Sequence, residues 1–322
     1  MDIPLVSVIM LTYNHKPFVK QAIESVLMQK VNFNYELLIG DDCSTDGTID
    51  ILQEYANLYP NQVKLFLSEE NQGITKNSYR LYKKALGKYL ASCEGDDYWV
   101  DENKLQIQVD FLENNPQYIG CSHAVFLVDN DGNLLKSQKL DWVFSRNIYT
   151  LDNFNGIILP GHSSSIVRKN IFLDQKYDYS IIWKLDKYIG DRTGALIWAA
   201  QGNFFQFPTP MACYRVRRGG NFQNVTAMLY SNNENKYKRE LDYTCRLEEY
   251  SITVLKKFVN FDYYKRRLCV GAIKDFMTRP SKSRLRIVIQ IIRSMKAPVW
   301  GILCIPIIII KKLGRRLVNI IQ

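Results

Sequence analysis

The chain has no C-x-x-C pair. Its seven cysteines (43, 93, 121, 213, 245, 269 and 304) are scattered over 322 residues, which argues against a zinc ribbon or a disulfide framework and fits a reducing compartment. It has no G-x-G-x-x-G and no G-x-x-x-x-G-K-[ST], so dinucleotide and P-loop phosphate binding lose their main sequence support. No basic region precedes the first apolar run after Met1-Asp2-Ile3-Pro4, and a secretory leader is not expected. Internal repeats and low-complexity linkers are missing. So is any uninterrupted apolar run of the roughly 20 residues that a spanning helix needs. The longest, Ala297–Ile310, is broken by Pro298, Gly301 and Pro306.

Acidic residues are missing from one region in particular. Phe276–Gln322 carries ten Lys/Arg and no Asp/Glu, which equals the whole formal net charge of +10. The excess therefore belongs to a tail, and such a tail implies a polyanionic neighbour. Its cations alternate with Ile, Leu and Val rather than with stacking aromatics, which disfavours nucleic acid. A basic, apolar, interrupted segment over 282–322 suits a helix lying on an anionic membrane surface. A C-terminal helix packed on the protein is the alternative.

What is present is a hydrophobic fraction of 47%, enough for one large domain or a domain with an appendage. Leu5–Leu11, Tyr35–Ile39, Val63–Leu67 and Tyr89–Cys93 read as strands. Helical patterns from Pro17 to about Met28, Ser44 to about Tyr59, Thr75–Leu86 and Asp101–Asn114 separate and follow them. The alternation predicts an α/β fold around a mostly parallel sheet. Beyond it the pattern predicts a strand at Ile119–Val128, a turn at Asp129–Gly132, a strand over Gly161–Arg168, a helix over Gly190–Gln201, a short extended stretch at Phe204–Phe207 and amphipathic helix from about Ala227 to Phe276.

Three polar clusters follow predicted strands, where open α/β sheets bind their ligands. Thr12-Tyr13-Asn14 offers polar groups and a stacking face, although turns favour Asn and Thr in any case. Asp41-Asp42 precedes Ser44, Thr45 and Asp46, which capping of the next helix explains; capping does not explain Asp41-Asp42. Glu94-Gly95-Asp96-Asp97 directly follows an apolar strand. Adjacent carboxylates there repel and resist burial, and a divalent metal bridging to a phosphate resolves that repulsion. These residues point to a nucleotide-diphosphate ligand.

The series VSVIMLTYN (6–14), ELLIGDDCSTDGT (36–48), NQGITKN (71–77), GKYLASCEGDDYW (87–99) and KLQIQVDFLE (104–113) resembles family 2 glycosyltransferases of the GT-A fold, most of all their bacterial cell-surface polysaccharide members. The resemblance is dense over 5–130 and thins towards 222. It implies a GT-A domain over 1–225, with a nucleotide-binding half (1–115) and an acceptor half (116–225), followed by a helical, basic region over 226–322. It implies a nucleotide-sugar donor, a UDP-sugar before a dTDP- or GDP-sugar, a divalent cation (Mn²⁺ or Mg²⁺) and inverting transfer to a saccharide or lipid-linked saccharide. Thr12, Tyr13 and Asn14 match the nucleoside pocket, and Asp42 the acid that contacts the base. Asn71, Gly73 and Asn77 match a segment flanking the nucleotide, while Asp96 and Asp97 match the ribose- and metal-holding acidic motif. The usual D-x-D begins here with Glu94. Asp191, at the start of a helix, matches the general base, with Asp186 as the fallback. The basic stretch Tyr214–Gly220 is expected either to close over the diphosphate or to be a solvated turn, and His162 to line the acceptor side; His15 and His123 receive no role. No Q-x-x-R-W motif accompanies the rest, so one sugar per encounter is expected. The resemblance also implies a location on the cytoplasmic face of the membrane. A nucleotidyltransferase and a non-catalytic nucleotide-sugar binder are the rivals.

Overall fold

Val6–Thr12 forms the first strand, β1, and six of its seven residues are buried, as a continuous apolar run predicts for a strand covered on both faces. The computed structural model describes residues 3–135, 140–174, 176–217 and 233–296. After β1 come α1 (Val19–Leu27), β2 (Tyr35–Asp41), α2 (Thr48–Leu58), β3 (Val63–Leu67), α3 (Ile74–Tyr82), β4 (Tyr89–Ser92), β5 (Tyr98–Trp99), α4 (Lys104–Asn114) and β6 (Tyr118–Val128). The chain continues with β7 (Ile148–Tyr149), α5 (Leu151–Phe154), a 3-10 turn at Ser163–Ser165, β8 (Val167–Lys169), α6 (Ile181–Lys184), α7 (Asp191–Ala199) and β9 (Asn203–Arg215).

These strands make one mixed sheet in the order β3-β2-β1-β4-β8-β6-β9-β5, with β7 paired to β9. β3, β2, β1 and β4 are mutually parallel. β8 runs antiparallel to both β4 and β6. Strand order reverses between β1 and β4, so the crevice beyond their C-terminal ends is the expected ligand position for such a sheet. Thr12 pairs in register with Asp41 across β1 and β2, and the Glu94–Asp97 turn follows β4 at the same edge. Below this rim, Val8, Met10, Ile23, Leu37, Ile39, Ala91, Trp99 and Leu105 share one hydrophobic core.

Two expectations are corrected. Gly161–Arg168 is not one strand: it is a 3-10 turn followed by the three-residue β8. Phe204–Phe207 is part of the thirteen-residue β9. Pro208 and Pro210 break the pattern there, because a proline cannot donate to a ladder. The strand absorbs them at a register break: pairing with β6 runs to His123–Phe207 and resumes at Val125–Ala212.

The chain divides into two compact units, Met1–Phe154 with Ile158–Asn224, and Asn155–Ile157 with Val225–Gln322. The second contains α8 (Asn233–Thr253), α9 (Asp262–Thr278) and α10 (Lys282–Arg293). Ile287, Val288 and Ile291 of α10 join Leu241, Tyr264, Leu268 and Ile273 in that unit's own core. The start of the basic tail thus spends its apolar stripe on packing within the unit. Residues 297–322, which hold the longest apolar run, lie outside the described residues, as do Arg218–Gly220. Among the described residues no helix is long and apolar enough to cross a membrane.

Candidate functional site

The β1 and β2 ends are fastened to each other. Thr12 Oγ1 donates to Asp41 Oδ2 at 2.7 Å, and Asp41 also accepts from the Ser44 N–H and hydroxyl. Asn14 adopts a left-handed backbone at φ 55°, which asparagine tolerates better than most residues. Its N–H donates to Ser44 Oγ and its Oδ1 accepts from the Thr45 N–H, both at 2.8 Å. Thr12 and Asn14 therefore shape the rim, while Tyr13 is exposed on it.

Asp42 is buried, and its two oxygens accept from the backbone N–H groups of Gln72 and Gly73 at 2.8 Å each. This carboxylate pins the segment before α3. Gly73 sits at φ 92°, and a Cβ there would lie 2.6 Å from the Lys187 carbonyl oxygen. Lys187 Nζ in turn donates to the Asn71 carbonyl at 2.9 Å, and Thr75 Oγ1 to the Asp186 carbonyl at 2.7 Å. The approach to α7 is thereby held against the Asn71–Thr75 segment. Asn77 lies deeper: its Nδ2 donates to the Gly40 carbonyl at 2.7 Å and its Oδ1 accepts from Arg80. Its side chain is a brace inside the fold rather than part of the rim.

The acidic motif crosses directly over β1. The Gly95 N–H donates to the Leu11 carbonyl at 3.1 Å. A Cβ on Gly95 would meet His15 Nδ1, Thr12 Cγ2 and that carbonyl oxygen, all within 2.9 Å, so glycine alone fits. Asp96 and Asp97 then point to different surroundings. Asp97 is buried; its Oδ1 accepts from the Arg215 N–H at 2.9 Å and its Oδ2 from the Ser164 hydroxyl at 2.5 Å, with His162 Nδ1 3.5 Å away. Burial, and then the charge of Asp96, push its carboxyl well above the usual range. Through these bonds Asp97 ties the motif to β9 and to the Ser163–Ser165 turn. Asp96 remains partly accessible, with Arg217 Nε 2.9 Å from its Oδ2. Burial pushes Asp96 up, but His15 and Arg217 outweigh it and hold the carboxyl below its ordinary value.

Glu94 accepts from the Ser163 hydroxyl at 2.7 Å. Burial, then repulsion by Asp96, raise it to about 7, and Asp191 adds to the repulsion. Asp191 is thus within electrostatic reach of the motif. It is the first residue of α7 and exposed, and its Oδ1 accepts from the Arg192 N–H at 2.7 Å. The N-cap is Gly190, so Asp191 stands inside the first turn rather than capping it. Asp186 uses Oδ1 to accept from the Tyr188 and Ile189 N–H groups and shapes the preceding loop.

Arg215 lies in the stretch expected either to close over the diphosphate or to be a solvated turn, and its side chain is built into the framework. It is buried; Nε donates to the Asp96 carbonyl, Nη1 to the Asp129 and Asn130 carbonyls, and Nη2 to Gln21 Oε1. Its guanidinium packs on Phe18 at 4.6 Å. His162 is also buried, 4.1 Å centroid to centroid from Tyr214, and burial lowers it to about 4. Trp99 is core: its Nε1 donates to the Ser164 carbonyl. The residues that sequence reasoning missed are Ser163, Ser164 and His15. His15 Nδ1 is buried without a hydrogen-bond partner, and burial lowers the imidazole despite Asp96. The adjacency of His15 to Asn14 and of the serines to His162 was the available signal, and nothing in spacing joins either to residues 94–97.

Among the described residues no three His, Cys, Asp or Glu side chains converge as a metal cage. The chemistry of the donor set still fits one divalent ion at Asp96, whose carboxylate already holds a cation. Mg²⁺-type ions are commonly held by one or two carboxylates, with substrate phosphates and water completing the shell.

TuaG of Bacillus subtilis, named as a teichuronic acid biosynthesis glycosyltransferase, is 38% identical over 109 residues, 34% of this chain and 42% of TuaG. The Escherichia coli UDP-Glc:α-D-GlcNAc-diphosphoundecaprenol β-1,3-glucosyltransferase WfgD is 32% identical over 146 residues, 44% of this chain and 55% of WfgD. The matches therefore span about half or less of these relatives. The crystal structure of Staphylococcus aureus TarS 1–349 with UDP-GlcNAc shares the fold at TM-score 0.58 and 16% identity, covering 91% of this chain and 81% of that one. The model of glycosyl transferase family 2 matches residues 7–172, just over half of the 322 residues. The chain belongs to glycosyl transferase family 2.

Proposed function

We propose that the protein is a metal-dependent, inverting glycosyltransferase that moves one sugar from a nucleotide-diphosphate sugar to a saccharide or lipid-linked saccharide in cell-surface polysaccharide synthesis. A UDP-sugar is favoured, since WfgD is named for a UDP-Glc donor and a diphosphoundecaprenol-linked acceptor. The observation that supports the reading is the Glu94–Asp97 turn, which follows β4, crosses over β1 at the Leu11 carbonyl and leaves Asp96 partly accessible there.

In this reading Tyr13 stacks on the base, and Thr12, Asn14, Asp42, Asn71, Gly73 and Asn77 build or brace the nucleoside pocket. Asp96 holds a divalent cation, Mn²⁺ or Mg²⁺, and Asp97 fixes Asp96 from below. When bound, that ion offsets charge on the leaving diphosphate. Asp191 takes the proton of the acceptor hydroxyl as it attacks the anomeric carbon. Residues 1–115 form the nucleotide half and 116–225 the acceptor half. The basic tail, 282–322, holds the protein on the inner face of the membrane.

Asp191→Asn tests the assignment. Donor binding should persist while transfer falls by roughly 10²–10⁴-fold, the usual contribution of a general base. Undiminished transfer in Asp191→Asn would remove Asp191 from that role.

A further inference from the structure

Two arginines leave the end of β9, and they are held in opposite ways. Arg215 makes four side-chain hydrogen bonds to the surrounding framework. Arg217 has its Nε 2.9 Å from Asp96 Oδ2, with only 12% and 14% of the two side chains exposed. Yet its buried Nε has no aligned hydrogen-bond acceptor. Attraction of charge holds this contact, without the directional bonds that make an Arg–carboxylate pair strong. Arg217 also acts on its other neighbours, lowering Glu94 and His15 alike. It is thus a cation leaning into a group of carboxylates that repel one another, since Asp96 itself raises Glu94.

We infer that Arg217 is a surrogate cation: it neutralises Asp96 while no donor is bound, and the divalent ion replaces it there. The inference rests on the reading above that Asp96 carries the ion. In both states Asp96 has a positive partner, so its negative charge is never left buried and uncompensated. The exchange has a thermodynamic consequence. A carboxylate that must first release a guanidinium has its metal affinity reduced to the fraction of time it is free of that guanidinium. The released guanidinium, still at the end of β9, is then available to phosphate oxygens brought in with the ion, which arginine suits.

The test is titration of the full-length protein with Mn²⁺ alone, free Mn²⁺ being read by electron paramagnetic resonance, without nucleotide and without turnover. Arg217→Met should bind Mn²⁺ about 5–30-fold more tightly than the parent, within the usual range of coupling between two ligands. Arg217→Gln repeats the measurement with a neutral polar side chain should the methionine variant fold poorly. Arg217→Lys, which keeps the competing charge, should stay closer to the parent than either. Asp96→Asn should lose Mn²⁺ binding. If Asp96→Asn loses the ion but neutral substitutions of Arg217 leave affinity unchanged or weaker, the exchange is wrong while Asp96 stands as the ligand. If Asp96→Asn binds Mn²⁺ like the parent, the metal reading fails and takes the exchange with it.

Discussion

Lys104 is fully buried in the first turn of α4, and replacing it with methionine should stabilise the protein, against the trend for core substitutions. Its Nζ lies 3.9 Å from the centre of the Trp99 ring and has no hydrogen-bond partner. Burial lowers the ammonium from 10.5 to about 7, opposed only in part by Cys93 and Cys121. His123, also near enough to feel Lys104, is driven by burial to about 3. Both thiols are pushed up by burial, Cys121 to about 12, so none of these neighbours titrates between pH 6 and 10. Lowering the ammonium from 10.5 to about 7 corresponds to roughly 5 kcal/mol. The cation–π contact with Trp99 offsets about 2 kcal/mol of it, which leaves a gain of roughly 2–3 kcal/mol for Lys104→Met. The folded-state value lies below the unfolded one, so the cost of Lys104 is complete below pH 7. It diminishes as pH rises from 7 towards 10.5, because there the unfolded chain binds the extra proton. Urea unfolding of parent and variant at pH 6, 7.5 and 9.5 reads this directly. A gain at pH 6 that shrinks by pH 9.5 is expected. A loss of stability at pH 6, or a gain independent of pH, would refute the reasoning.

Three further outcomes follow from the site. Glu94 titrates higher in the folded state, about 7 against 4.5, so its ionisation costs stability above pH 7 and nothing below about 4.5. Glu94→Gln should therefore gain about 2–3 kcal/mol at pH 8 and almost nothing at pH 4.5, measured by thermal unfolding in chelator; an equal effect at both would contradict this. Gly95→Ala should cost about 1–3 kcal/mol through overpacking, since its Cβ would press on the Leu11 carbonyl; an unchanged melting temperature would be inconsistent with that crossing. Asp42→Asn turns an amide N–H₂ towards one of two backbone donors and should cost about 1–3 kcal/mol, with faster hydrogen exchange at Gln72 and Gly73. Unaltered exchange there would show that Asp42 does not pin this segment.

The first four strands were legible because each is an apolar run between turn residues, and Val63–Leu67 keeps the boundaries read from its sequence. The acidic motif could be placed for the same reason, as it directly follows such a run. The division of labour inside it could not. Asp96 and Asp97 are neighbours in sequence, and what separates them is who meets them: Ser164 from 67 residues away and Arg215 from 118. β9 was hidden by Pro208 and Pro210, whose effect depends on the bulge opposite β6. β5 has two residues and exists through its pairing with Ala212 and Cys213. Arg215 and Arg217 look alike in sequence. Geometry alone distinguishes the one built into the framework from the one resting on Asp96.

The central claim is transfer from a nucleotide sugar that depends on a divalent ion at Asp96. The direct measurement is release of nucleoside diphosphate by the full-length protein from a panel of UDP-, dTDP- and GDP-sugars, with Mn²⁺, with Mg²⁺ and with chelator. Turnover of at least one donor, a UDP-sugar first, that is lost in chelator and in Asp96→Asn is predicted. No turnover of any donor with either metal, or turnover indifferent to chelator, would contradict the account.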